Sequence, residues 1–321
     1  MSVLSAPHFH DEAAAFAKLE SVIWPNGPVC PHCGAKDRIY KLEGVRSKPS
    51  KANPEGIVRH GLKKCGHCRK QFTVRVGTVF ESSHVPLHKW FQAAHLLCSS
   101  KKGISSHQLH RVLDVTYEAA WFMSHRLREA MRSGDLAPMG GAGGSGIVEA
   151  DETFIGSKKG KPKRRGYGHK NAVLALVERG GKVRSVHVSD VSAKTLVPIV
   201  NENIAREARV MTDSAAAYVG RIEAASHEAV NHTADEYVRG DVHTNTVEGY
   251  FSIFKRGMKG VYQHCSEKHL HRYLAEFDFR YNNRSAQGVE DVERAERALR
   301  GIAGKRLTYR ATDGQAEKSQ G

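Results

Sequence analysis

Two pairs of cysteines restrict what this chain can fold into more than any other feature. Cys30-Pro31-His32-Cys33 and Cys65-Gly66-His67-Cys68 each separate two thiols by two residues, and tetrahedral Zn²⁺ is held by four thiolates offered in this way. Gly34 and Gly66 suit the tight turn that each knuckle needs. His32 and His67 stand beside the thiols as alternative ligands, but four thiolates complete a tetrahedron without them. The competing reading is redox or disulfide chemistry, and neither motif has the strand–helix setting of a thioredoxin-like pair. The spacing therefore predicts a zinc ribbon over residues 25–80, with Cys30, Cys33, Cys65 and Cys68 as ligands and a projecting loop over 41–56. Cys98 and Cys265 have no partner at ligand spacing and read as ordinary core or semi-buried residues.

With 321 residues the chain has room for two or three modules, one of them large enough to bury its own core. Its 49 Lys+Arg against 34 Asp+Glu leave a net charge of +15, an excess that favours a polyanionic partner. No run resembles a signal peptide, and none approaches the length of a membrane span. The expectation is a cytoplasmic protein with no membrane partner, in a compartment where disulfides are uncommon.

Six segments follow from pattern and composition. Residues 1–24 carry a short amphipathic helix, and 25–80 the ribbon. In 86–133, Leu87, Trp90, Phe91, Ala94 and Leu97 recur at helical spacing behind Pro86. Ser105 or Ser106 can cap a second helix, and Thr116 a third that carries Arg126 and Arg128 beyond the turn at Asp114-Val115. Short helix, tight turn and longer basic helix make a helix-turn-helix-like DNA-binding arrangement, whose last helix enters the major groove. Residues 134–146 form a Gly-rich linker. The segment 147–284 starts with three strands, including a hairpin around Arg179-Gly180-Gly181, and then alternates helix and strand, the order of an RNase H-like domain among other α/β folds. A helix and polar tail occupy 285–321.

Three acids in the segment 147–284 stand in comparable settings. Asp151 and Asp213 each end an apolar run, and Glu248 opens an amphipathic helix. Each alone has a plainer role, as a turn or helix cap, and Glu149 or Glu152 could replace Asp151. Together they resemble the carboxylates that hold two divalent cations beside a phosphodiester. Glu248 and Lys255 share one helix face, roughly 10 Å apart along the axis, so an acid and a phosphate-binding cation point the same way. Lys158–Arg165, with Lys163, Arg164 and Arg165, is a basic run suited to phosphate contact. Among the histidines, His243 merits notice for its place just before the glutamate helix.

The runs Val148-Glu149-Ala150-Asp151-Glu152-Thr153-Phe154-Ile155-Gly156, Thr212-Asp213, His243–Gly249, Phe254-Lys255-Arg256-Gly257 and Phe279–Arg284 resemble the ISXO2-like DDE transposase family of bacterial insertion sequences over roughly residues 15–285. That resemblance implies an α/β, RNase H-like catalytic domain with Asp151, Asp213 and Glu248 as catalytic triad and Mg²⁺ (or Mn²⁺) ligands. Lys255 would be the basic companion of the glutamate, with Arg256 beside it. It implies an enzyme that cuts element ends and joins the 3′-hydroxyl to target DNA by two-metal phosphoryl transfer. It also implies double-stranded DNA as partner, at least a dimer when two ends are synapsed, and a place on the bacterial nucleoid. The rival readings are a non-catalytic ribbon and helix-turn-helix regulator, which has no use for acids in these positions, and an RNase H-like nuclease, which shares them.

Overall fold

The computed structural model describes residues 2–51, 53–134, 137–141, 144–163, 165–213, 217–230 and 238–308. The chain divides into two compact units, the first from the segments up to Ser99, Ser105–Met131 and Asp291 onward, the second from Ser100–Ile104 and Arg132–Glu290. Arg164, part of the 134–146 linker and the polar tail from 309 onward lie outside the described residues.

In the first unit α1 (Glu12–Ile23) starts where the Asp11 side chain accepts the Ala14 N–H at 2.7 Å. Glu12, one residue on, accepts the N–H groups of Leu87 and His88 and so starts α2 (Leu87–Ser99) as well. The ribbon is a three-stranded antiparallel sheet of β1 (Ile39–Lys41), β2 (Lys63–Cys65) and β3 (Gln71–Phe72). The segment expected as a projecting loop is a narrow arm, closed by the pairing of Arg46 with Val58. Ser105 caps α3 (Ser106–Leu113) and Thr116 caps α4 (Tyr117–Ala130), as their spacing predicts. Asp114 makes the turn between them in the left-handed region, at φ 47°. The last helix, α8 (Asp291–Arg300), packs on α2 within this unit.

One expectation is corrected here. Arg126 and Arg128 are 7 % and 1 % exposed, so neither offers its charge to a DNA backbone. Arg126 donates to the Glu81 carbonyl and lies over the Phe122 ring, and Arg128 donates to Ser124 Oγ. The second half of α4 is buried nearly all round, which leaves its first turn as the exposed part. A run of basic residues on a helix signals a solvated face only when an apolar stripe occupies the other side; in α4 the two are mixed.

The second unit is built on a five-stranded sheet of order β6-β5-β4-β7-β8. β4 (Ile147–Ile155), β5 (Asn171–Glu178) and β6 (Val183–Val188) are antiparallel neighbours, whereas β7 (Arg209–Asp213) and β8 (Ser226–Val230) run parallel to β4. Alternation sends Val173, Ala175 and Val177 to one face, under α6 (Asn245–Gly257) and α7 (Leu270–Asn282). Ala172, Leu174 and Leu176 go to the other, against α5 (Ala193–Asn203). β5 is therefore buried at seven of its eight positions, the near-continuous apolar run expected of a strand covered on both faces.

Polar side chains fix how α7 meets the sheet. Asn282 both donates to and accepts from the Val183 backbone at the start of edge strand β6. Asp278, half-buried, accepts from the Ser185 N–H and hydroxyl and from the Tyr250 hydroxyl, so that α7, β6 and α6 meet at one carboxyl. Burial pushes that carboxyl up to about 7 despite these donors.

Candidate active site

The site starts from strand register. The parallel ladder between β4 and β7 ends at the pair Ala150–Thr212, so Asp151 and Asp213 are the next residues on two neighbouring strands and share a face. Asp151 is thus not the end of a strand, as its apolar run suggested: β4 continues to Ile155, paired only with β5. The acid sits where the parallel ladder stops, at the carboxyl end of β7.

Carboxylate oxygens of Asp151, Glu152 and Asp213 lie within 4.8 Å of one another. Strand alternation alone would send Glu152 to the opposite face, but beyond Ala150 no β7 residue is paired with β4 to separate the two sides. Burial, then the Asp213 carboxylate, pushes Asp151 up to about 6; the Glu152 N–H, donating to it at 2.7 Å, and the Lys255 charge pull the other way. Burial first, then Asp151 and Asp213, pushes Glu152 up to about 8. Glu152 Oε1 and Asp213 Oδ1 are buried and have no hydrogen-bond partner among the described residues. Oxygens crowded and orphaned in this way suit a hard divalent cation, which takes oxygen ligands and relieves their repulsion.

Glu248 lies outside that tight group, although its charge is felt at Asp151. It stands in the first turn of α6 and accepts the Thr244 hydroxyl at 2.9 Å. Farther along the same helix Lys255 is half-buried, its ammonium 5.8 Å from the Phe251 ring centroid, and Arg256 is exposed with a bond to Ser252. Lys163 and Arg165 are exposed on the connection between β4 and β5. Glu149 is a residue whose role the sequence did not disclose. It is 0 % exposed, and both its oxygens are saturated by Arg179, Thr246 and Val247. A carboxylate so occupied has no lone pair to spare for a cation, which excludes Glu149 as the acid that replaces Asp151.

In the first unit the four thiols gather as their spacing predicts. Cys30 and Cys68 sulfurs are 3.7 Å apart, Cys33 and Cys65 sulfurs 3.6 Å, and all four lie within 4.8 Å. A tetrahedron with Zn–S bonds of about 2.3 Å has edges of about 3.8 Å, so the sulfurs stand at the spacing the ion needs. Gly34 turns the first knuckle at φ 75°. Gly66 serves differently: a Cβ there would meet the Arg38 carbonyl oxygen at 2.9 Å, and the left-handed residue after the second knuckle is Arg69, at φ 60°.

No helix among the described residues is long and apolar enough to cross a membrane. Residues 144–282 match the profile of the ISXO2-like transposase domain, and residues 10–71 that of the transposase zinc-ribbon domain. A protein of Halobacterium salinarum described as an uncharacterized protein in transposable element ISH50 is 29 % identical over 296 residues, covering 85 % of this chain and 91 % of the relative. An uncharacterized transposase-like protein of Haemophilus influenzae is 28 % identical over 103 residues, covering 32 % of this chain and 82 % of that protein. With a ribbon that fits zinc, an acidic cluster at the end of a parallel ladder, and both profiles and the transposable-element relative in agreement, the chain belongs to the ISXO2-like transposase family.

Proposed function

We propose that the chain is a DDE transposase that cuts the ends of its element and joins the freed 3′-hydroxyl to target DNA. The observation that carries this reading is the placing of Asp151 and Asp213 side by side at the end of one parallel ladder, with Glu248 on the helix laid over the same face. The strand order, with three antiparallel strands followed by two parallel ones, supports an RNase H-like catalytic domain. Asp151, Asp213 and Glu248 would hold Mg²⁺ or Mn²⁺, with Glu152 as a fourth carboxylate in reach. Bound divalent ions supply the Lewis acidity that activates the attacking oxygen and stabilises the leaving one.

The residues of the chain do the rest. Pairing of β4 with β7 fixes the separation of the two aspartates, and so sets where a scissile phosphate would meet them. Lys255 offsets part of the acid repulsion felt by Asp151 and would receive a phosphate. Arg256, Lys163 and Arg165, all exposed, would meet the backbone of double-stranded DNA on either side; Arg164 belongs to the same run. Any helix-turn-helix reading falls to the exposed face of α3, with Arg111, and to the first turn of α4. Pairing of two element ends calls for at least a dimer.

The test is cleavage and joining of labelled DNA taken from the gene's own flanks, in Mg²⁺ and in Mn²⁺. Intact protein should cut at one defined end and yield joined product. Asp151→Ala, Asp213→Ala and Glu248→Ala should each lose both, and Glu152→Gln shows whether the fourth carboxylate is required. Tight flank binding without cutting would leave a regulator; cutting without joining would leave a nuclease.

A further inference from the structure

The N-terminus of α6 is capped in an unusual way. Its N-cap residue, Thr244, makes no capping bond of its own, although Thr is a favoured residue at that position. Two backbone donors of the first turn are taken instead by Glu149, on β4. Glu149 Oε2 accepts the N–H groups of Thr246 at 2.7 Å and Val247 at 3.0 Å. Glu149 Oε1 accepts the Thr246 hydroxyl at 2.8 Å and Arg179 Nε at 2.6 Å. Arg179 in turn donates to the carbonyls of Asp241 and His243, at 2.7 and 3.0 Å, and so ties down the segment entering the helix.

Thr244, 1 % exposed, is thereby relieved of capping, and its hydroxyl donates to Glu248 Oε1 at 2.9 Å. Glu149 also precedes Asp151 by two residues on the same face of β4. One buried carboxylate thus joins the strand that carries one proposed metal ligand to the helix that carries another.

We infer that Glu149 is a positioning residue: by capping α6 from the sheet, with Arg179 bracing it, Glu149 frees the Thr244 hydroxyl to orient the Glu248 carboxylate toward the divalent-cation site. The inference rests on the proposed catalytic reading and adds residues to it that touch neither DNA nor cation. Glu149 acts through Thr244, and Thr244 acts through Glu248. A group that orients a ligand contributes to metal affinity, typically by 10–100-fold.

The experiment is a Mn²⁺ titration followed by electron paramagnetic resonance, on the full chain with its zinc in place. Compared are the parent, Thr244→Val, Thr244→Ser, Glu149→Gln, the Glu149→Gln/Thr244→Val double variant and Asp151→Ala. Thr244→Val should bind Mn²⁺ roughly 10–100-fold more weakly, while its melting temperature without added Mn²⁺ stays near the parent's. Thr244→Ser, which keeps the hydroxyl, should restore binding. Glu149→Gln should weaken binding as well, and the double variant should bind no more weakly than the weaker single one, because the two act in series. Should Glu149→Gln fail to fold, the Thr244 pair decides.

Parent-like Mn²⁺ binding by Thr244→Val, with binding lost in Asp151→Ala, would overturn the inference and leave the catalytic reading intact. Additive losses in the double variant would overturn the serial link from Glu149 to Thr244. Undiminished binding by Asp151→Ala would remove the catalytic reading and this inference together.

Discussion

At the scale of single residues, the acidic cluster opposes the folded state whenever no cation is bound. Asp151 is pushed from 3.8 up to about 6 and Glu152 from 4.5 up to about 8, both first by burial. A native state with raised carboxyl pKa values binds more protons than the unfolded chain between the two sets of values. Stability should therefore be greatest below about pH 4 as far as these groups are concerned, and fall as pH rises through about 6 to 8. Asp151→Asn removes one buried charge and relieves Glu152. Without added Mg²⁺ at pH 8 its melting temperature should exceed the parent's by several degrees, a gain on the order of 2 kcal/mol. The gain should shrink toward pH 4 and under saturating Mg²⁺, where the parent's acids are protonated or neutralised. Asp278, also raised, to about 7, is common to both proteins and drops out of the difference. A pH-independent gain, or a loss, would show that the cluster is not strained by its own charge.

At the scale of elements, the ribbon and the sheet differ in what holds them. The ribbon core is little more than Cys30, Cys65 and Phe72 with Trp24 and Ile39 against them, too small to stand without a metal. Chelation of one zinc per chain should abolish the edge-on packing of Trp24 on Phe72, whose centroids are 6.0 Å apart, and expose the 34–64 segment to protease. The strands of the second unit, closed by two apolar layers, should keep their protease resistance. Loss of both together, or of neither, would contradict this. The same contrast explains what was legible in the sequence. Cysteine pairs, caps such as Ser105 and Thr116, and the β5–β6 hairpin are local signals and stand where their spacing put them. Asp213 was legible as an acid at a strand end, whereas Asp151 closes an apolar run inside a longer strand, and the inclusion of Glu152 depends on where the β4–β7 ladder stops. The capping of α6 by Glu149 joins positions 97 and 98 residues apart, and no local pattern encodes such a pairing. Arg126 and Arg128 were misread for the converse reason: their charge is local, while the packing that buries them is not.

At the scale of the whole molecule, a net charge of +15 coexists with a cluster of carboxylates meant, on the proposed reading, to approach DNA. A phosphate backbone would be repelled by those acids alone, so the basic residues must supply the attraction that brings the strand in. Their contribution can be separated from that of the site. Lys163 and Arg165 are exposed and remote in sequence from Glu248, and each phosphate they neutralise should add about 0.9 to the magnitude of the log–log salt slope. The Lys163→Ala/Arg165→Ala double variant should therefore bind flank and unrelated duplexes more weakly by a similar factor, with a slope shallower by up to about 1.8. Asp151→Ala should keep the parent's slope and bind DNA without Mg²⁺ at least as tightly, because it removes a negative charge and no cation. Filter binding or fluorescence anisotropy between 50 and 300 mM salt reads both quantities. An unchanged slope in the double variant would remove the β4–β5 connection from the DNA path and leave the attraction to Lys255, Arg256 and the basic residues of the first unit.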